Sequence, residues 1–196
     1  MPLRVNISPL SFVRYLLAAL ISVAFGGIVA FAQENKLPFK LPVDARILPK
    51  TALIETSKGP VEIEFYREDA PVTVRNFEYL AKKSFYNGLT FHRYREGFVI
   101  QGGDPKGTGE GGPGYLLPPE LSDTLRHERG TVGMARLPNA VNSNRYSNGS
   151  QFYIVFQRSP HLDGLYTVFA HVINGLDNAE NLRPGDKILG IRFTSQ

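Results

Sequence analysis

The chain has 196 residues, 42% of them hydrophobic and 20% charged, enough for one domain of roughly 100–200 residues plus an appendage and too apolar for wholesale disorder. Twenty-two Lys and Arg against 18 Asp and Glu give a net charge of +4. Two of the positive charges, Arg4 and Arg14, lie in a leader without acidic residues, and the small excess left on the body does not point to nucleic acid as a partner. There is no cysteine, which excludes disulfides, thiolate nucleophiles, Cys zinc sites, iron–sulfur clusters and lipoprotein cysteine anchors.

Leu16 to Ala32 is an uncharged run behind the basic pair. It ends in Ala30-Phe31-Ala32, a small-x-small pattern suited to signal peptidase, followed by polar Gln33-Glu34-Asn35. Residues 1–32 are thus predicted to be a signal peptide, or a signal anchor if uncleaved. Either way the body is expected to be exported, into the periplasm or onto the outer face of the cytoplasmic membrane, touching membrane only through residues 1–32. Residues 33–50 contain Pro38, Pro42 and Pro49 and read as an extended linker. The folded domain is placed at 51–196.

Thr51–Thr56 and Val61–Tyr66 flank Ser57-Lys58-Gly59-Pro60, a hairpin signal. Asp69-Ala70-Pro71 opens a helix, with Asp69 or Ala70 as cap and Pro71 at its first position. Val74, Phe77, Leu80 and Ala81 form its apolar stripe, and Asn87-Gly88 turns the chain afterwards. Short strands are expected at 89–94, 98–101, 131–136, 151–156, 167–172 and 188–193, with a short helix at 176–182. Gly-rich loops cover 102–114 and 137–149. Many short strands with two helices suggest an antiparallel barrel or sandwich.

Several familiar motifs fail in context. Gly107-Thr108-Gly109-Glu110-Gly111-Gly112 fits G-x-G-x-x-G, but Pro113-Gly114 follows where a helix is required. His92, His127, His161 and His171 show no helical zinc spacing. Ser150 lies outside any G-x-S-x-G elbow, and Asn148-Gly149-Ser150 is a glycosylation sequon of a kind common by chance. More unusual are polar groups on core-like strands. Alternation puts Phe91 with Arg93, Val99 with Gln101, and Gln151 with Tyr153 on shared faces. On spacing alone, an arginine snorkelling at a sheet edge, with the amides satisfied by backbone, is the simpler account.

Those stretches also carry a resemblance. Phe91-His92-Arg93, followed by Gly97-Phe98-Val99-Ile100-Gln101-Gly102-Gly103-Asp104-Pro105, resembles the central signature of cyclophilins, the cyclosporin-binding peptidyl-prolyl isomerases. Asn87-Gly88-Leu89-Thr90, the glycine loop 107–112, Gly133-Met134-Ala135, Asn148-Gly149-Ser150-Gln151-Phe152-Tyr153-Ile154, Leu162-Asp163-Gly164 and Val168-Phe169 continue it in order. The likeness spans about 51–193. It implies a mainly β fold, a closed eight-stranded antiparallel barrel capped by two helices. One strand face would fill the barrel and the other line an external groove.

The resemblance also implies roles. Arg93 would be the catalytic arginine and Gln101 its supporting amide, with His92 beside them. Phe98, Val99, Tyr153 and Leu162 would line the proline pocket. Ala135 and Arg136 would border the substrate backbone, Gln151 the groove floor, and Tyr166 the rim. Four departures stand out: Val99 where Met is frequent, Tyr153 where Phe is frequent, Arg136 where animal members often have Asn, and His161 where cyclosporin-sensitive members carry Trp. The segment 136–147 is also longer than usual. The implied protein is a monomer that acts on proline-containing polypeptides, needs no cofactor or metal, and binds cyclosporin weakly. The expected function is isomerisation of Xaa-Pro bonds in exported proteins. The alternatives are a proline-peptide binding module with little turnover and a membrane-tethered scaffold.

Overall fold

The computed structural model describes residues 37–194. The expected signal segment and the first residues of the expected linker lie outside the described residues. Ten strands are present among the described residues. They are β1 (Thr51–Thr56), β2 (Gly59–Phe65), β3 (Arg93–Arg95), β4 (Val99–Gly102), β5 (Leu116–Leu117), β6 (Thr131–Met134), β7 (Ser147–Asn148), β8 (Phe152–Val155), β9 (Val168–Asn174) and β10 (Ile188–Thr194). Helix α1 covers Pro71–Lys82 and α2 covers Leu176–Glu180.

Eight strands form one antiparallel sheet in the order β10-β1-β2-β9-β6-β8-β4-β3, and β5 pairs with β7 apart from it. The sheet curls as a half-barrel through 219°. Its outer strands β10 and β3 do not pair along their length. The gap is bridged at one end, where Thr90 pairs with Lys187. There Phe91 donates its amide to Asp186 and Gly88 to Ile188, at 2.8 and 2.7 Å. The expected eight-stranded antiparallel architecture with two helices is therefore present, curled rather than fully closed. These bridging bonds leave few edge groups unpaired at that end.

This bridge explains one difference from the alternation read in sequence. The expected strand at 89–94 begins only at Arg93, because residues 88–91 pair instead with residues 185–188, which lead into the start of β10. Phe91 consequently turns into the core, 1% exposed, whereas Arg93 lies exposed outside. The two do not share a face.

Helix α1 carries the expected stripe, with Val74, Phe77, Leu80 and Ala81 all buried. Phe77 is the hub of the core. Its ring lies 5.0 Å from Tyr86, 5.6 Å from Phe169, 5.7 Å from Phe152 and 5.8 Å from Phe65. Ala70 is the N-cap and offers no side-chain bond. The distant Glu120 does the capping, accepting from the Val72 and Thr73 amides at 2.8 Å and the Thr73 hydroxyl at 2.6 Å. A carboxylate there satisfies orphan donors and meets the positive end of the helix dipole.

Residues 37–50 also differ from the extended linker expected. They belong with the folded unit, which begins at Leu37. Leu48 is buried, Phe39 packs on Tyr79 at 5.5 Å, and a short 3-10 turn forms at Ala45–Ile47. Arg67 donates to the carbonyls of Arg46 and Leu48. The prolines exclude a long helix or a central strand, but they do not prevent apolar neighbours from docking.

Candidate active site

The two faces of the sheet are both apolar and do different work. Ile100, Val132 and Ile154 belong to the main core with Phe152 and Phe169. Val99, Tyr153, Val155 and Leu162 form a second cluster, joined by Phe98, Ala135 and Tyr166. The pairing of four strands builds the second face. Arg93 lies opposite Gln101, Gln101 opposite Tyr153, and Tyr153 opposite Gly133. One rank across β3, β4, β8 and β6 therefore carries a cation, an amide, an aromatic ring and a glycine.

Above this rank opens a pocket of about 400 Å³, within the range of small-ligand sites. Arg93 and Gln101 stand on one side of it. Phe98, Val99, Tyr153, Leu162, Ala135, Arg136, His161 and Tyr166 complete the lining. Ten of the twelve site residues expected from sequence thus meet in one pocket. Gln151 lies directly behind. His92 does not line the pocket: it points to the glycine loop, where Gly109 approaches its ring, and its two ring nitrogens are buried without a partner. Burial lowers its pKa. His92 follows the bent 88–91 segment, and the chain aims it away from the face on which Arg93 emerges.

The polar side is held by a directed chain of hydrogen bonds. Arg93 donates from Nη1 to Gln101 Oε1 at 3.1 Å. Gln101 then donates from Nε2 to Gln151 Oε1 at 2.8 Å. Gln151 donates from Nε2 to the carbonyls of Gly109 and Gly111, at 2.9 and 2.8 Å. Since guanidinium can only donate, each amide in the chain has one permitted orientation. The glycine loop is in turn wrapped on Asp104, which accepts from the amides of Lys106, Thr108 and Gly109. A Cβ at Gly111 would stand 1.9 Å from Asp104 Oδ1, so the loop requires glycine there. The G-x-G-x-x-G match is explained as this carboxylate wrap.

The apolar side is a set of rings packed in tilted and edge-on pairs. The Arg93 guanidinium stands 6.0 Å from the Phe98 ring centre, and Phe98 lies 5.4 Å from His161. Tyr166 meets Tyr153 edge-on at 6.2 Å and supports the Arg136 guanidinium at 4.4 Å. Arg136 also donates to the carbonyls of Leu165 and Leu137. Partial burial and nearby Arg95 lower the Arg93 pKa, yet an arginine remains protonated in proteins. The long segment after Arg136 folds on itself through Asn142, which donates to the Tyr146 carbonyl and accepts from its amide.

Sequence reasoning missed three residues that support this site. His127 donates or accepts at 2.9 Å from the Tyr153 hydroxyl, Asp163 lies 3.0 Å behind the imidazole, and Gly133 leaves the room that the hydroxyl occupies. The extra hydroxyl of Tyr153 was the available signal, because a buried phenol needs a partner.

Known proteins agree with this geometry. Residues 51–189 match the family described as cyclophilin type peptidyl-prolyl cis-trans isomerase/CLD. A peptidyl-prolyl cis-trans isomerase of Synechococcus elongatus is 44% identical over 146 residues, 74% of this chain and 96% of the relative. Peptidyl-prolyl cis-trans isomerase B of Bacillus subtilis is 47% identical over 133 residues, 67% of this chain and 89% of the relative. The crystal structure of a cyclophilin-type isomerase of Cryptosporidium parvum superposes with a TM-score of 0.69 at 31% identity, covering 76% of this chain and 99% of that one. With its eight-stranded curled sheet and external apolar pocket, the chain belongs to the cyclophilin-type peptidyl-prolyl cis-trans isomerases.

Proposed function

We propose that this cyclophilin isomerises Xaa-Pro bonds in exported polypeptides, with Arg93 as the donor that stabilises the twisted bond. The observation that carries this reading is the Arg93–Gln101 pair standing beside an apolar pocket sized for a small ring. A second crystal structure of the Cryptosporidium parvum protein, obtained in the presence of the dipeptide Ala-Pro, is 30% identical with a TM-score of 0.66. The choice of that dipeptide supports proline-containing chains as the substrate class here.

The barrier to the reaction is amide resonance, about 18–20 kcal/mol. No covalent bond forms or breaks, so no nucleophile is needed. As the C–N bond twists, the prolyl nitrogen becomes pyramidal and regains a lone pair. A fixed N–H donor stabilises that lone pair and gains nothing from the planar ground state, which is differential binding. Gln101 and Gln151 hold Arg93 in place, while Phe98, Val99, Leu162 and Tyr153 seat the ring and the preceding carbonyl swings. Acceleration from ~0.01 to ~1,000 per second requires about 7 kcal/mol. One charged donor, orientation and a drier site are of that scale together.

Export rests on residues 1–32. Cleavage after Ala32 would leave a mature chain beginning at Gln33 outside the cytoplasmic membrane, where it would assist folding of exported proteins. The test has two parts. Turnover of Xaa-Pro peptides by the protein, and its loss in Arg93→Ala, supports the catalytic reading; equal turnover in both refutes it. Mass spectrometry of the native protein starting at Gln33 supports export by a cleaved signal, whereas an intact leader in the membrane fraction supports the anchor.

A further inference from the structure

Tyr153 is the floor of the pocket, and its hydroxyl points away from solvent toward a fully buried imidazole. Tyr153 Oη lies 2.9 Å from His127 Nε2. His127 Nδ1 lies 3.0 Å from Asp163 Oδ1. The His127 residue is 0% exposed, and Asp163 also accepts its backbone amide at 2.8 Å. Space for the hydroxyl comes from across the strand pair, where a Cβ at Gly133 would stand 2.5 Å from Oη. Three residues far apart in sequence thus form a Tyr–His–Asp file beneath the pocket. The His127 and Tyr153 rings stack at 6.1 Å.

The chemistry gives the file a direction. Burial would raise Asp163, but the His127 amide and ring and the Arg158 guanidinium outweigh it and bring the carboxyl to about 2. As a carboxylate it only accepts, so the His127 proton must sit on Nδ1. The neutral ring then offers a bare Nε2, and Tyr153 donates to it. We propose that His127, oriented by Asp163, is a positioning residue that fixes the Tyr153 ring as the floor of the proline pocket, and that its protonation releases the floor. This rests on the reading of the pocket as the proline site.

Protonation inverts the last link. A charged His127 donates from Nε2, and the Tyr153 proton must leave that direction, where Gly133 stands against the hydroxyl and offers no side-chain acceptor. A buried donor left without an acceptor is costly, and the cost is relieved if the ring shifts into the pocket. The effect falls on substrate seating, hence on KM more than kcat, because Arg93 stands across the pocket.

The groups facing His127 set where this happens. Asp163 favours the charged form; Arg158 and His161 oppose it. Arg158 is itself bridged to Asp163 at 2.6 Å and to Glu128 at 2.7 Å, and Arg126 stands 3.9 Å from Asp163. Tyr166 closes the remaining side edge-on at 6.5 Å. Burial outweighs the attraction of Asp163 and lowers the His127 pKa, placing the transition on the acid side of an ordinary histidine.

The experiment measures kcat and KM for an Xaa-Pro peptide between about pH 4.5 and 8, the span of histidine titration. It uses the wild type, Tyr153→Phe and His161→Gln, with 15N NMR of the His127 ring in the wild type. The expected wild-type kcat/KM falls about five- to tenfold toward acid, the worth of one buried hydrogen bond. The loss is carried by KM, with a midpoint matching His127 in the NMR titration. The limb is absent in Tyr153→Phe, which has no hydroxyl to reorient, and kept in His161→Gln. At neutral pH the NMR shows a proton on Nδ1 and none on Nε2. A limb retained in Tyr153→Phe, or lost in His161→Gln, overturns the proposal. So does a proton on Nε2 at neutral pH, which needs no variant to detect. A wild type without turnover at any pH overturns the proline-site reading instead, while the NMR still decides the hydrogen-bond file.

Discussion

Gln101 donates its side-chain amide to Gln151 at 2.8 Å, and through that bond the position of Arg93 depends on a loop it never touches. Gln151 is 1% exposed and spans from the Gln101 amide to the carbonyls of Gly109 and Gly111. Removing it leaves the Gln101 amide and both carbonyls to find water or go unpaired. Gln151→Ala is expected to lower stability by about 1–3 kcal/mol and kcat/KM by about tenfold, or 1.4 kcal/mol. Chemical unfolding and peptide turnover check the two parts. Unchanged turnover in a destabilised variant would show that Arg93 needs no such support.

Arg93 is exposed, its guanidinium donating to Gln101 and facing the Phe98 ring. Its substitution should therefore spare the fold. Arg93→Ala is expected to lower kcat/KM by about 2–4 kcal/mol, the scale of one well-placed donor. Arg93→Lys should recover only part, since an ammonium cannot present the same planar fork. Melting temperature and kcat/KM measured together separate these outcomes. A large loss of stability in Arg93→Ala would mean that the arginine is structural.

Much of this site was legible in the sequence, for a physical reason. Polar side chains recurring on apolar strands must be partnered or functional, and Arg93, Gln101 and Gln151 prove to be partners of one another. Val74, Phe77 and Leu80 announced the helix face by their period. Period failed at Phe91, where the strand partner changes and the chain bends, because alternation presumes continuous pairing. His127, Asp163 and Gly133 were hidden because their relation to Tyr153 exists only across strands and loops. Likewise, no local pattern shows that Glu120 caps a helix 47 residues upstream. Leu116–Leu117 and Ser147–Asn148 are too short a pair to leave any periodic trace.

Asp163 makes acid stability a measurable property of the same region. Burial would raise its carboxyl, but the His127 amide and ring and the Arg158 guanidinium outweigh it and bring the group from the ordinary 3.8 down to about 2 in the folded protein. A folded pKa below the unfolded one means that the stabilisation is complete above the unfolded value. It is lost as pH falls from 3.8 toward 2. Solvent screening of Arg158 limits the amount to about 1 kcal/mol. Unfolding by denaturant at pH 7 should show Asp163→Asn less stable than wild type, and the difference should shrink below pH 3.8. A difference that stays constant with pH would assign the effect to packing rather than charge.

The last prediction concerns cyclosporin. In the cyclophilins that bind it tightly, a rim tryptophan offers a broad apolar surface and an indole N–H. The sequence resemblance puts His161 in that place, and it lies on the short turn Pro160–Leu162, 5.4 Å from Phe98. Imidazole covers less apolar area than indole. Replacing an aromatic anchor at a binding hot spot costs about 2 kcal/mol or more, which is over tenfold in affinity. Inhibition by cyclosporin is therefore expected to be weak while peptide turnover stays normal, because the donor Arg93, held by Gln101, lies across the pocket. His161→Trp should restore much of the affinity with little change in kcat/KM, since the turn leaves its side chain exposed to solvent. Titration of turnover with cyclosporin, in both proteins, tests this. Tight inhibition of the wild type would transfer the recognition to another part of the rim, and the folded 137–147 segment beside Arg136 would be the first place to substitute.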